Sequence, residues 1–293
     1  MLLIPGSIMK KYSLVTAILT SLFIITFYSS ASPVWSQTAL KQNHQKNLTA
    51  AGSGVNLGIT RLLVEGFVKI HPEIRIDIPG SIGTKGAIAA IADGAITLGL
   101  VSQPLKEEEK TQDISVLPYA WVAIVIGVHP TVPDQNITSG ELVEIFKGTK
   151  TQWKNGKEII VQARDNSDSG FLVLQNNITG FREAYTESQK DKLWTLYFTD
   201  QDANQALAMT PYAIGVTDLG MIATEHLRIK VLPFNGIEPN QKNLQNGTYP
   251  LSRQLSFIYR EENLPEEARQ FLAFVFSEKG RNILKSNGYI PIQ

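Results

Sequence analysis

Residues 74–86 read IRIDIPGSIGTKG, and this stretch is the strongest indication of the fold. Its first three isoleucines alternate with Arg75 and Asp77, which is typical of a half-exposed β-strand. The glycine-rich turn at 80–86 follows, and a helix is predicted at residues 85–92. A strand that leads through a small-residue turn into a helix is the repeating unit of parallel α/β sheets. The stretch therefore predicts an α/β fold.

Two other turns have the same character. Residues 51–54 read AGSG after a strand predicted at 48–51, and residues 164–170 read RDNSDSG after a strand predicted at 159–162. A buried strand is predicted at 96–101 as well. Because ligands bind at the carboxyl ends of parallel strands, where these turns lie, we expect the three turns to meet at one cleft.

The three turns together predict an oxyanion site. The first turn of a helix presents unpaired backbone N–H groups and a partial positive charge, so it attracts anions. Glycine lets an anion approach the backbone closely, and serine and threonine hydroxyls add hydrogen-bond donors. Three such turns, one of which contains Arg164, are a stronger indication than one.

Arg164 has two interpretations. Its planar guanidinium could bind two oxygens of a tetrahedral anion. It could instead form a surface ion pair with Asp165 or Asp168. The strand before it and the Ser/Gly turn after it favour the anion clamp. Lys85, at the start of the second helix, is expected to point to solvent.

The hydroxyl residues of the first two turns also have a structural alternative. Ser53, Ser81 and Thr84 stand where helix N-caps are expected, and capping competes with anion binding for the same N–H groups. Tyr212 and Arg253 are expected near the hinge, as structural residues rather than ligands.

The N-terminal segment has the order of a secretory signal peptide. Lys10 and Lys11 precede an apolar stretch at 14–27, and cleavage is possible after Ala31 or Ser36. The alternative is an uncleaved membrane anchor, but a membrane span needs about 20 apolar residues. The order therefore favours export and cleavage.

A signal peptide over residues 1–36 leaves a mature chain that begins with a polar spacer at 37–47. The sequence has no cysteine, so it offers neither disulfides nor a lipidated cysteine after the signal. A binding protein without an anchor would diffuse away from a cell that has no outer membrane. The periplasm is therefore the predicted location, and no stable membrane insertion of the mature chain is expected.

Charge and composition exclude some classes of function. The formal net charge is 0, and loss of the two lysines of the signal peptide makes it −2, so nothing resembles a nucleic-acid footprint. The four histidines show no metal-ligand spacing, so neither a metal site nor a cofactor is predicted. With 43% hydrophobic residues, the chain can bury two cores of ordinary size.

The order of elements predicts two lobes. Residues 48–118 would begin the first lobe, residues 119–224 would form the second, and residues 225–293 would return to the first, starting with a strand at 229–232. A discontinuous lobe needs strands that cross between the lobes. Crossing strands are a common hinge in proteins that close around a ligand.

Local signals add detail to this plan. The apolar run at 121–128 predicts a buried strand at the entry to the second lobe. Thr138 or Ser139, followed by Glu141, predicts a helix N-terminus with a capping box. The charged run at 106–110 predicts a solvated helix start.

Nine short motifs follow one another along nearly the whole mature chain. They are residues 51–54 (AGSG), 80–86 (GSIGTKG), 91–94 (IADG), 98–105 (LGLVSQPL), 164–170 (RDNSDSG), 213–215 (AIG), 249–253 (YPLSR), 274–280 (FVFSEKG) and 288–291 (GYIP). Their order resembles that of the type II periplasmic binding proteins, and among them the phosphate-binding proteins of the phosphate ABC importer. The resemblance implies a two-lobed α/β protein, in which each lobe is a mixed sheet flanked by helices and crossing strands form the hinge.

The resemblance also implies which residues bind the anion. They would donate from both lobes: Ser53, Gly54, Val55, Ser81, Gly83, Thr84 and Ser102 from the first, and Arg164, Ser167, Ser169 and Gly170 from the second. The third turn matches loosely, because Asp168-Ser169-Gly170 stands where the family has Ser-Gly-Thr.

One difference from the family concerns the choice of anion. The family has Ser-Asp after the strand that corresponds to residues 98–101, and this Asp accepts the proton of hydrogen phosphate; here the pair is Ser102-Gln103. A buried acceptor selects a protonated anion, because a fully ionised anion leaves the acceptor without a hydrogen bond. Gln103, Asp165 or Asp168 could take over this role.

Three classes of function remain in competition. The first is a monomeric receptor that captures an inorganic oxyanion, phosphate before sulfate, molybdate or tungstate, and delivers it to an ABC permease. The second is a sensor module with the same fold, because a fold does not determine a function. The third is a phosphatase-type enzyme, which would need an activated nucleophile or a metal. Since the sequence shows neither, we expect a binding protein and not an enzyme.

Overall fold

The strand–turn–helix units are present in the structure, a computed structural model that describes residues 47–110 and 113–292. Its ten strands are β1 (Asn47–Gly52), β2 (Arg75–Asp77), β3 (Leu98–Val101), β4 (Ile114–Val128), β5 (Ile160–Arg164), β6 (Thr195–Tyr197), β7 (Ala213–Asp218), β8 (Lys230–Leu232), β9 (Ser252–Arg260) and β10 (Tyr289–Pro291). The predicted signal peptide at 1–36 and most of the spacer lie outside the described residues.

Helices flank these strands, which confirms the α/β class. Those in the described ranges are α1 (Gly54–Val68), α2 (Gly83–Ala92), α3 (Ser139–Lys147), α4 (Ser169–Asn177), α5 (Phe181–Lys190), α6 (Asp200–Met209), α7 (Leu219–Thr224), α8 (Gln241–Gln245), α9 (Glu266–Val275) and α10 (Glu278–Ser286). None of these helices is both long and apolar enough to cross a membrane.

The first turn is built on parallel strands. β1 pairs in parallel with β2 on one side and β3 on the other. A side chain at Gly52 would collide with the backbone of Leu100 in β3, so this close approach requires glycine. The N–H of Ser53 then donates to the carbonyl of Leu100 at 2.8 Å. This contact holds the start of α1 against β3.

A first core lies under α1, α9 and α10. Its buried side chains include Leu63, Phe67, Phe257 and Phe271, and the rings of Phe67 and Phe271 meet edge-on with centroids 5.5 Å apart. Burial of each such side chain contributes about 1.5–3 kcal/mol. The core therefore anchors the helix whose N-terminus forms one side of the cleft described below.

Two long strands cross from the first core to a second. Tyr119 and Val122 of β4 are buried in the first core, whereas the later residues Ile124 and Ile126 of the same strand are buried in the second. β9 runs antiparallel to the first part of β4, from Ile114 to Ala123. β4 and β9 are thus crossing strands of the kind that the sequence predicts for the hinge.

The second core contains an aromatic cluster. Phe146 of α3, Phe171 of α4, and Phe181 and Tyr185 of α5 pack together. These helices cover a sheet in which β4 pairs with β7, β7 with β5, and β5 with β6. The predicted capping box at the start of α3 is confirmed, with Thr138 as the N-cap.

The position of β8 differs from the one that the sequence predicts. The sequence interpretation places this strand in the return to the first lobe, but β8 pairs with residues 126–128 of β4, and Leu232 and Leu251 are buried in the second core. The reason is that β9 leaves β4 at Ala123, and β8 covers the strand edge that would otherwise be unpaired. The chain therefore rejoins the first core with β9, while the other predicted lobe boundaries stay predictions.

Candidate functional site

The three turns meet at one cleft of about 450 Å³. Its walls are the starts of α1 and α2 on the side of the first core, and the starts of α4 and α6 on the other side. Eight of the eleven predicted ligand residues line it: Ser53, Ser81, Gly83, Thr84, Ser102, Arg164, Ser167 and Ser169. The other three, Gly54, Val55 and Gly170, are buried in the first turns of α1 and α4.

Three serine hydroxyls form a chain at the cleft. Ser102 Oγ lies 2.8 Å from Ser53 Oγ and 3.0 Å from Ser169 Oγ. Ser169 Oγ also accepts a hydrogen bond from Arg253 Nη1 at 2.7 Å. Two of the three hydroxyl protons serve the two serine–serine bonds, so one proton is left to donate to an anion. Because Ser53 precedes α1 and Ser169 begins α4, the chain links both cores.

Arg253 is held by Asp218. Their side chains are 4% and 0% exposed, and Arg253 Nη2 lies 2.5 Å from Asp218 Oδ2. Burial raises the pKa of Asp218, and attraction by Arg253 opposes this shift. Burial alone would lower the pKa of Arg253, but the charge of Asp218 raises it. Arg253 is thus buried in an ion pair outside the cleft lining, and it also contacts the predicted ligand residue Ser169. Its structural role stays a prediction.

Arg164, at the end of β5, faces two carboxylates. Its Nε and Nη2 donate to Asp168 Oδ2 at 3.2 and 3.1 Å, and Nη1 donates to the carbonyl of Tyr197 at 2.9 Å. Asp200 Oδ2 lies 3.5 Å from Nη2. The alternative pairing with Asp168 is therefore present, but the two side chains are 12% and 11% exposed, so the pair is not on the surface. Three of the five guanidinium donors bond to described residues, which leaves two for a ligand.

Asp168 determines the shape of the third turn. It is the N-cap of α4, and its Oδ1 accepts hydrogen bonds from the N–H groups of Gly170 at 2.9 Å and Phe171 at 3.2 Å. The N–H of Gly170 is thus already used within the protein. Asp165 Oδ1 accepts from the hydroxyl of Ser167 at 2.6 Å and from its N–H at 2.8 Å, and these bonds lower the pKa of Asp165.

The serines of the first two turns are not used as side-chain caps in the described residues. Ser53 occupies the N-cap position of α1, but its hydroxyl bonds to Ser102 instead of to the helix. The N-cap position of α2 is Ile82, and Ser81 Oγ accepts a weak bond at 3.3 Å from the N–H of Gly83. The capping alternative for Ser53 is therefore not realised, and the start of α1 keeps donors for a ligand.

Three further side chains complete the side of the first core. Thr84 Oγ1 accepts from the N–H of Ser102 at 3.4 Å. Lys85 is exposed, as expected, at the rim of the cleft. Gln103 lines the cleft, and its Oε1 is buried with no hydrogen-bond partner among the described residues. Gln103 thus keeps an unused acceptor at the position where the family has a carboxylate.

The sequence interpretation missed the segment at 197–200, which forms one wall of the cleft. β6 is parallel to β5 and ends at the same edge, and Phe198 is 88% exposed at the rim. Thr199, followed by Asp202, caps α6 with a hydrogen bond of 3.1 Å. This Thr-x-x-Asp spacing could have indicated a fourth helix start at the cleft.

Asp200 is the carboxyl of this segment that faces the cleft. Burial and the charge of Asp168 raise its pKa to about 6, while Arg164 opposes the shift. Carboxyls with strongly shifted pKa values are frequent at functional sites. In the described part of the chain, no three His, Cys, Asp or Glu side chains are placed to hold a metal ion. The arrangement supports binding of an anion by hydroxyl, backbone and guanidinium donors.

Known proteins resemble this chain over most of its length. Phosphate-binding protein PstS of Pseudomonas aeruginosa is 24% identical over 269 residues, which cover 84% of this chain and 83% of that protein. Protein SphX of Synechococcus elongatus is 27% identical over 272 residues, which cover 84% of this chain and 77% of that protein. A substrate-binding protein of Clostridium perfringens, solved with bound phosphate, superposes with a TM-score of 0.74 at 23% identity, over 85% of this chain and all of that one.

At 23% identity, the structural likeness with a TM-score of 0.74 shows the fold. The family is shown by the sequence itself, because residues 37–279 match the PBP superfamily domain. With more than half of its length covered by that match, the chain belongs to the PBP superfamily.

Proposed function

We propose that this protein captures an inorganic oxyanion, phosphate before any other, and delivers it to an ABC permease. One observation carries the proposal: the serine chain from both cores and Arg164 converge on a single cleft at the helix starts. The names of the relatives support phosphate as the anion, since PstS of Pseudomonas aeruginosa is a phosphate-binding protein and the Clostridium perfringens structure contains phosphate.

The available donors are sufficient for tight binding. The serine chain supplies one proton, Arg164 two N–H groups, and the start of α1 further backbone N–H groups. A hydrogen bond to a charged group contributes about 1.5–3 kcal/mol. With two N–H groups from α1, five such bonds would amount to about 7.5–15 kcal/mol, whereas a micromolar dissociation constant corresponds to about 8 kcal/mol. All but the lowest values of this range leave a surplus. The surplus can offset the entropy lost on binding.

The proposal extends to location and partners. Export by the signal peptide at 1–36 would bring the mature chain to the periplasm, where a monomer would bind one anion and present it to permease subunits. Binding without catalysis is in keeping with the names of the relatives, which are those of a binding protein and a substrate-binding protein.

Calorimetric titration of the mature chain tests the proposal. Residues 37–293, freed of bound ligand by unfolding and refolding, are titrated with phosphate and with sulfate at pH 7.5. We expect micromolar or tighter binding of phosphate and much weaker binding of sulfate. The variant Arg164→Ala should bind phosphate more weakly. Arg182→Ala is its matched control, because Arg182 is an exposed arginine on α5 away from the cleft. Absence of phosphate binding, or turnover of a phosphate ester by the same preparation, would refute the proposal.

A further inference from the structure

Asp200 lies where the anion is expected. It is the first residue of α6 and lines the cleft, and its side chain is 15% exposed. A methyl group on Gly54, the first residue of α1, would lie 2.6 Å from Asp200 Oδ2. The carboxyl therefore faces the start of α1, one of the helix starts that attract an anion.

The other carboxylates of the cleft region have their hydrogen bonds, and Asp200 does not. Asp168 accepts from Arg164 and from two backbone N–H groups. Asp218 accepts from Arg253 and from the N–H of Met221. Asp200 accepts no hydrogen bond from any described residue, and its contact with Arg164 is an ion pair at 3.5 Å. Asp165, which also lines the cleft, accepts from the hydroxyl and the N–H of Ser167. Among the carboxyls of the described cleft lining, Asp200 is thus the one that accepts no hydrogen bond from the protein.

The charges around Asp200 do not balance. It faces Arg164 of β5 and Arg253 of β9, but also Asp168 at the start of α4 and Asp218 at the end of β7. Two positive and three negative groups leave one surplus negative charge when all are ionised. A bound anion adds to this surplus. A proton on Asp200 or on the anion would relieve the repulsion and make a hydrogen bond between them.

We propose that Asp200 selects the protonation state of the bound oxyanion, because the cleft accommodates one proton between this carboxyl and the ligand. This inference rests on the proposed function. An ionised Asp200 accepts a hydrogen bond from a protonated anion such as hydrogen phosphate. A fully ionised anion such as sulfate binds when Asp200 itself carries the proton.

Gln103 cannot make the same distinction. Its free amide oxygen can accept a hydrogen bond from a protonated anion. A neutral amide does not repel a fully ionised anion, however, so it discriminates less than a carboxylate. The selection by charge is therefore assigned to Asp200.

A pH series with two anions tests the inference. Sulfate carries no proton at pH 5.5, 7.0 or 8.5, whereas phosphate still carries one at pH 8.5. Because sulfate needs a protonated Asp200, its affinity for the wild type should fall by about tenfold for each pH unit above 6. In Asp200→Asn this fall should vanish. The preference for phosphate over sulfate at pH 8.5 should then drop by about tenfold or more.

Two variants make the test specific. Asp202→Asn is the matched control, because Asp202 lies in the same helical turn, bonds to Thr199 and is outside the cleft; it should behave as the wild type. In Gln103→Leu the affinity for sulfate should still fall with rising pH as it does in the wild type. The inference would be overturned, while phosphate binding stands, if the sulfate affinity of the wild type did not fall with pH. It would also be overturned if Asp200→Asn kept the wild-type preference for phosphate over sulfate. Loss of preference in Gln103→Leu alone would also overturn it. Binding of neither anion by the wild type would refute the proposed function itself.

Discussion

Arg253 and Arg164 both face carboxylates near the third turn, but the two surroundings differ. Arg253 bonds to Asp218, and the two side chains are 4% and 0% exposed. Arg164 faces Asp168 and Asp200, and these three side chains are 11–15% exposed at the cleft. The first group has one positive and one negative charge, whereas the second has one positive and two negative charges. The first is a closed pair, because it lies outside the cleft lining and its unpartnered donor, Arg253 Nε, is buried. The second, Arg164 with Asp168 and Asp200, is an open cluster, because it lines the cleft and retains donors and an acceptor for a ligand.

The difference teaches how a structural pair can be distinguished from a binding cluster. A buried pair is tolerated when each charge is matched and hydrogen-bonded, since its attraction then repays the loss of hydration. Burial raises the pKa of both Asp218 and Asp200. At Asp218 the charge of Arg253 opposes this shift most strongly, whereas at Asp200 the charge of Asp168 adds to it. Charge balance, rather than burial alone, therefore distinguishes the structural pair of Arg253 and Asp218 from the binding cluster around Arg164.

The largest effect is expected on the free energy of unfolding, when one partner of the closed pair is removed. Arg253→Met should lower the free energy of unfolding by about 3–5 kcal/mol, because Asp218 would remain buried without its partner. Urea unfolding followed by circular dichroism measures this change.

The double variant Arg253→Met with Asp218→Asn is the control, because asparagine keeps an acceptor for the N–H of Met221 but carries no charge. It should recover most of the lost stability, because no uncompensated charge is left in the core. A loss below about 1 kcal/mol in the single variant would show that this pair does not support the fold.

The next effect concerns the open cluster. Arg164→Ala should weaken phosphate binding by about 2–5 kcal/mol, because it removes a partly buried cation with two free donors. Calorimetric titration measures it. Arg164→Lys should recover part of the affinity, since lysine keeps the charge but not the planar fork. An unchanged affinity in Arg164→Ala would mean that Arg164 serves Asp168 and not a ligand.

A smaller effect is expected on the pH dependence of stability. The folded-state pKa of Asp200 is about 6 and therefore above its unfolded value. Its contribution to stability is fully present below about pH 4 and is lost as the pH rises through about 6, an effect of about 3 kcal/mol. Urea unfolding between pH 4 and 7 without anions should show this decrease in the wild type but not in Asp200→Asn. If the free energy of unfolding changed equally with pH in the two proteins, Asp200 would be excluded as the titrating group.

The smallest effect is expected just outside the cluster. Asp165 follows Arg164 in the chain, but it is exposed and bonds to Ser167. Its pKa is lowered, so its contribution has the opposite sign: it is present above about pH 4 and is lost as the pH falls through the folded-state pKa. Asp165→Asn keeps an acceptor oxygen, so stability at pH 7 should change by less than about 0.5 kcal/mol and phosphate affinity should be unchanged. If Asp165→Asn changed anion binding as much as Asp200→Asn does, Asp165 at the rim of the cleft would also belong to the binding cluster.

Much of the fold could be predicted from local patterns, and the exceptions have physical causes. The strand at 74–78, the turn at 80–86 and the cap at Thr138 are signalled by neighbouring residues, and the structure has a strand, turn or cap at each place. β6 lies within residues 193–198 (LWTLYF), which show no alternation of polar and apolar residues. The position of β8 depended on which edge of β4 was unpaired, and no local signal reports that.

The sequence by itself determined where strands end, where helices begin and which turns carry small and hydroxyl residues, because these properties depend on residues a few positions apart. The sequence already offered Asp168 as a partner of Arg164, but the tertiary structure alone decided the distant partners of the two arginines. Arg253 meets Asp218 from 35 positions away, and Arg164 meets Asp200 from 36 positions away. Strand register brings such residues together, and the resulting charge balance, which no single segment contains, separates the closed pair from the open cluster.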